Sequence, residues 1–188
     1  IRGEYNFELV ELLEEGWELQ KGNKAILILN QTCFYGESGG QVGDEGIISN
    51  QKFKFNVHET SKIFGNYFLH HGEVIEGECN IGDQITSAIN INKRNLIRNN
   101  HSSTHLLHSA LRLILGKHVT QKGSLVNDQK LRFDFSHSEP LSSNDIVDIE
   151  VMINKIIMQK LTIDIEILDH KTAIESGAIG LFGEKYGE

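Results

Sequence analysis

Two hydrophobic periods, one following the other, limit what this chain can fold into. From residue 24 to about residue 90, apolar side chains recur in short runs broken by Gly, Asn and Asp, the spacing of a small barrel or sandwich. Lys52-Phe53-Lys54-Phe55-Asn56-Val57 alternates strictly, so Phe53, Phe55 and Val57 share one face of a strand. Ala25-Ile26-Leu27-Ile28-Leu29 is apolar enough to be covered on both faces. Residues 67–74 and 84–91 supply two more strands, joined through Glu76-Gly77-Glu78 and the Gly82-Asp83 turn. Near Asn99-Asn100 the period becomes helical: either side chain can cap a helix over 101–115, which Gly116 is placed to end.

Beyond that helix, residues 119–126 and 130–136 read as a hairpin around Asn127-Asp128, with Leu131, Phe133 and Phe135 facing one way and Arg132 and Asp134 the other. Ser142 and Asp145 have the spacing of a capping box for a second helix, expected to bury Ile146, Ile149, Met152, Ile153 and Ile156. Residues 161–167 alternate as a strand, and residues 171–176 can form a short helix ended by Gly177. The expected class is α+β, divided near residue 91: a β-barrel-like domain over 1–91 carrying a glycine-rich segment, then an α+β domain over 92–188.

A net charge of −8 argues against a general polyanion binder, whose affinity rests on many Lys and Arg contacts to phosphate. Lys93, Arg94 and Arg98 form a local basic group that either guides one end of an RNA or is simply a solvated helix face. Only Cys33 and Cys79 are present, far apart, which points away from a disulfide framework and towards a reducing compartment, the cytoplasm by default. No run approaches the ~20 apolar residues of a membrane span, and Ile1-Arg2-Gly3-Glu4 lacks the order of a secretion signal. A start at Ile1 suggests a processed or excised chain.

Three segments have the composition of a site. His101 and His105 are four apart, so on a helix their imidazoles lie on one face, close enough to hold one metal ion. His108 and Arg112 extend that face. On spacing alone, a coincidence on a polar helix face is the better account of the pair, and neither cysteine offers a convincing further ligand. The segment FYGESGGQVGDEG, residues 34–46, concentrates glycines that let a ligand approach the backbone, or else forms an ordinary flexible connection. In Val119-Thr120-Gln121-Lys122-Gly123-Ser124, Gln121 and Gly123 share a strand face. There the missing Gly123 side chain leaves room for the Gln121 amide to meet a ligand, unless Gln121 is merely solvated.

Taken in order, four segments resemble the alanyl-tRNA synthetase editing domain and its free-standing relatives, the AlaX deacylases: FYGESGGQVGDEG, NHSSTHLLHSAL at 100–111, HVTQKGSLVNDQKLRFDFS at 118–136 and GAIGLFGEKYG at 177–187. The ESGGQ and LFGEKYG forms are similar to the synthetase rather than to AlaX. The resemblance implies a small barrel followed by a two-layer α+β editing domain whose HxxxH helix supplies His101 and His105 to zinc. It also implies that a Cys-x-x-x-His pair following LFGEKYG completes the metal site, so the chain would end before that pair. By the same resemblance, Gln121 and Thr32 act in catalysis, Gln121 orienting the aminoacyl group and Thr32 accepting a serine hydroxyl. Gly39, Gly40 and Gln41 bind the substrate, Gly39 and Gly40 with their backbone near the terminal adenosine.

The implied reaction is hydrolysis of serine or glycine from mischarged tRNA(Ala), because a site built for alanine cannot strongly reject one missing methyl or one added hydroxyl. The implied partner is the acceptor end of tRNA(Ala), with oligomerisation through a C-terminal region. ATP and Mg²⁺ would serve only the alanine-ligating part of the parent protein. A free-standing AlaX-type deacylase and a non-catalytic tRNA-binding module are the alternatives.

Overall fold

The computed structural model describes residues 5–12 (backbone only), 21–164 and 166–177. Six strands, β1 (Tyr5–Leu12), β2 (Lys24–Leu29), β3 (Gly46–Ser49), β4 (Phe53–Ile63), β5 (Tyr67–Gly77) and β6 (Gln84–Ile89), are followed by α1 (Ile91–Leu115). A hairpin of β7 (Gln121–Val126) and β8 (Leu131–Phe135) comes next, then α2 (Ser143–Met158) and α3 (His170–Glu175). The class is mixed α+β. The first six strands pair antiparallel in the order β1-β2-β5-β4-β3-β6, and β1 pairs with both β2 and β6, which makes the sheet a closed barrel.

The alternation in β4 has the expected consequence: Phe53, Phe55 and Val57 are buried and pack with Leu27, Ile48, Val74 and Ile85 inside the barrel. A register shift between Val57 and Glu59 then breaks the alternation, and the next fully buried side chain is Thr60. Thr60 Oγ1 donates to the Asp44 carbonyl at 2.9 Å, and the Thr60 carbonyl accepts from Glu37 N–H at 2.8 Å. The bulge thereby aims one polar residue of β4 at the glycine-rich segment.

The first helix starts ten residues earlier than the expected 101. Asn90 caps it: its Oδ1 accepts from Lys93 N–H at 3.1 Å and its carbonyl from Arg94 N–H at 2.9 Å. Asn99 and Asn100 lie inside α1, where their carbonyls accept from the hydroxyls of Ser103 and Thr104. Ile97, Thr104 and Leu111, seven apart, form its buried stripe, and Gly116, at φ +118°, ends it as expected.

The chain forms two compact units. The first holds the barrel, α1 as far as His105, and residues 123–134; the second holds residues 106–122 and the chain from 135 onward. Residue 91, the expected boundary, marks the start of α1, whose first half belongs with the barrel.

In the second unit the Ser142–Asp145 capping box of α2 is present in both directions. Of the five residues expected to be covered, Ile149 is buried, Met152, Ile153 and Ile156 are half-buried, and Ile146 is exposed. The strand expected over 161–167 is not formed in the described residues of that stretch: Leu161, Ile163 and Ile167 are exposed, and no ladder partner is present there to satisfy a strand's backbone. The GAIGLFGEKYG segment lies outside the described residues except for Gly177, which follows α3 at φ +96°.

Candidate active site

The glycine-rich segment is a folded loop held by one carboxylate. Asp44, 3% exposed, accepts from Tyr35 N–H at 2.7 Å while its own N–H donates to the Tyr35 carbonyl at 2.9 Å. Arg94 closes the arrangement from α1, with Nε donating to both Asp44 oxygens at 2.8 and 3.0 Å, a further contact from Nη2 to the same carboxylate, and a bond from Nη2 to the Cys33 carbonyl at 3.2 Å. The hydrogen bond to Asp44 raises the Arg94 pKa above its ordinary value, so the guanidinium stays charged. Lys93 is paired with Glu45 and lies 3.9 Å from Asp128. Two of the three residues of the local basic group, Lys93 and Arg94, are therefore neutralised within the unit, and Arg98 is the exposed member.

At the tip, Ser38 and Gln41 exchange both backbone hydrogen bonds, at 3.2 and 3.0 Å, across Gly39 (φ +58°) and Gly40 (φ +82°). Two central residues with positive φ are the requirement of a type I′ turn, which explains the paired glycines. The turn docks on β7: Val126 N–H donates to the Gly40 carbonyl at 2.7 Å, and Val42 N–H to the Val126 carbonyl at 3.1 Å. A Cβ at Gly40 would lie 2.3 Å from the Ser124 carbonyl oxygen, whereas one at Gly39 would meet nothing within 4 Å. The close approach that Gly40 permits is thus made by the protein's own hairpin, and Gly39 is the glycine facing open space.

Docking the turn buries Gln41 and brings its Oε1 within 2.6 Å of His101 Nδ1. An amide oxygen only accepts, so Nδ1 carries the ring proton and Nε2 keeps its lone pair. The rings of His101 and His105 stack with centroids 5.1 Å apart and planes 23° from parallel. Burial first, and the neighbouring His105 second, lower the pKa of His101. A neutral imidazole, oriented through Nδ1 by an outer hydrogen-bond partner and presenting Nε2, is the state in which histidine binds a metal ion. The two histidines fit zinc as a pair of nitrogen donors; among the described residues no group of three or more His, Cys, Asp or Glu is placed to hold an ion. Two expected site residues, Gln41 and His101, thus meet directly.

Thr32 has partners elsewhere in the barrel. Its Oγ1 lies 2.8 Å from Nε2 of the fully buried His70 and accepts from Phe34 N–H at 3.1 Å. Gln121 opens β7, half-buried, in the second unit. Beside Gly123 stands the exposed Asp134 carboxylate, 2.7 Å from where a Cβ at Gly123 would lie.

No local pattern singles out His70 or the Asp44 carboxylate, and Arg94 reads in sequence only as one of three basic residues. Asp44 does lie inside the glycine-rich motif, but its partner is fifty positions away, beyond the reach of any short-range spacing. Residues 6–93 match the family model described as tRNA synthetases class II (A). The match covers just under half of the chain, running from β1 through β6 and ending one residue before Arg94. Thr32, His70, the Gly39-Gly40 turn, Gln41 and Asp44 lie inside it; His101, His105 and Gln121 lie beyond it.

Proposed function

We propose that this chain is part of an alanyl-tRNA synthetase and that its role there is proofreading, hydrolysing the ester that links serine or glycine to tRNA(Ala). The match over residues 6–93 supports the parentage. A single observation carries the proofreading role, namely the Gln41–His101 hydrogen bond, which joins the glycine-rich turn to the HxxxH helix in one constellation. In this reading His101 and His105 are zinc ligands, and the ion supplies polarisation or positioning of the ester and water when bound. The chain's own residues do the rest. Gln41 fixes the tautomer of His101, the backbone at Gly39 faces open space where the terminal adenosine is to lie, Thr32 accepts the hydroxyl of a bound serine, and Gln121 orients the aminoacyl group. Alanine ligation with ATP and Mg²⁺ is assigned to other parts of the parent protein.

The test is deacylation of serine-, glycine- and alanine-charged tRNA(Ala) by the full-length gene product. The first two are expected to be hydrolysed faster than the third, with the activity lost in His101→Ala. In Gln121→His, alanine charging is expected to persist while serine-charged tRNA accumulates. A wild-type protein that hydrolyses none of the three overturns the assignment.

A further inference from the structure

We propose that His70 is a positioning residue that fixes the Thr32 hydroxyl as a pure hydrogen-bond acceptor, and that this sets the preference of the pocket for a substrate side chain bearing a hydroxyl. The inference rests on the reading above that Thr32 meets the aminoacyl group. Its basis is a chain of donors and acceptors with no freedom left in it. His70 sits on β5 opposite Leu27 of β2 and is completely buried. Its Nδ1 is 2.9 Å from the Leu27 carbonyl oxygen. A carbonyl only accepts, so Nδ1 carries the proton and Nε2 presents a lone pair. Thr32 Oγ1, 2.8 Å from that lone pair, must therefore spend its one hydrogen on His70.

One oxygen lone pair of Thr32 is taken by Phe34 N–H. What remains is a single lone pair on a half-buried hydroxyl, able to meet a donor and nothing else. A serine hydroxyl satisfies it, whereas an alanine methyl or a glycine hydrogen leaves it unmatched. The ring cannot readily turn to release the hydroxyl, because Phe34 packs edge-on against it, centroids 5.1 Å apart and planes at 85°. Burial lowers the His70 pKa to about 4, against an opposing contribution from the Leu27 hydrogen bond, so the ring is neutral and the arrangement is in force at physiological pH.

The experiment compares kcat/KM for serine- and glycine-charged tRNA(Ala) in the full-length protein and in His70→Leu, His70→Gln, Thr32→Val and the His70→Leu/Thr32→Val double variant. The serine reaction is expected to fall about 10-fold in His70→Leu, the scale of one hydrogen bond, while the glycine reaction changes little. His70→Gln, which restores an acceptor, is expected to recover part of the loss, and the double variant to lose no more than Thr32→Val alone. Equal loss on both substrates, or additive losses, overturns the proposal in favour of a structural role. Nitrogen-15 NMR provides a readout independent of turnover. Wild-type His70 is expected as the Nδ1–H tautomer, with its Nε2 resonance shifting in Thr32→Val; an Nε2–H tautomer overturns the proposal even if the variants unfold. A wild-type protein inactive on every charged tRNA overturns the proofreading reading and the discrimination with it, while leaving the tautomer result to stand or fall separately.

Discussion

Asp44 and Arg94 show how one ion pair sets the form of a loop. The carboxylate is nearly inaccessible and the guanidinium largely covered, so removing one partner leaves the other charged group desolvated and unpaired. Asp44→Asn or Arg94→Met is expected to lower unfolding free energy by about 3 to 5 kcal/mol, measured by urea denaturation. A loss below ~1 kcal/mol would mean that water enters the site and solvates the remaining group. Gln41 is the contrasting case, because its backbone bridges to Ser38 and Val126 survive substitution and only the side-chain bond to His101 is lost. Gln41→Leu is therefore expected to leave the melting temperature nearly unchanged and to reduce zinc affinity and deacylation by about 10- to 100-fold, the usual effect of losing the outer partner of a metal-binding histidine. Isothermal titration with zinc and the deacylation assay check it together.

The elements differ in how openly their sequences announce them. Alternation in β4 identifies its buried face because Phe53, Phe55 and Val57 are flanked by polar residues, yet the bulge that aims Thr60 inward depends on pairing with β5 and leaves no local mark. Asn99-Asn100 resembles a cap and so misplaces the start of α1, while the residue that does cap it, Asn90, follows directly on a strand. Asn90→Ala is expected to cost about 1 kcal/mol, read from thermal unfolding, with Asn99→Ala costing less because Asn99 occupies an exposed interior position. The tight turn offers a sharper comparison. Gly40→Ala drives a Cβ into the Ser124 carbonyl and is expected to undock the turn and abolish the Gln41–His101 contact, whereas Gly39→Ala, in open space, carries only the left-handed backbone penalty of roughly 1 to 2 kcal/mol. Proton NMR of the His101 ring separates the two outcomes.

Across the whole molecule, buried His70 makes stability depend on pH. Its folded pKa, about 4, lies below the ordinary 6.5, so the unfolded chain binds the extra proton in the interval between them. The contribution is fully present above pH 6.5 and is lost as the pH falls through that window, the loss amounting to roughly 3 kcal/mol near pH 4. Urea midpoints at pH 7.5 and 4.5 are expected to show the fall, and His70→Gln to flatten it; an unchanged slope in that variant would assign the effect to other groups. The α+β class, the strand runs between residues 24 and 90, the hairpin turn at Asn127 and the spacing of the HxxxH pair were legible in the sequence itself, because each depends on residues only a few positions apart. Tertiary structure alone decided that Gln41 meets His101, that Asp44 meets Arg94, that Thr32 is bound to His70 and that residues 161–164 do not form a strand. Each of these outcomes depends on which distant segment supplies a partner, and hydrogen-bond and burial energies are realised only when the chain has brought the two together.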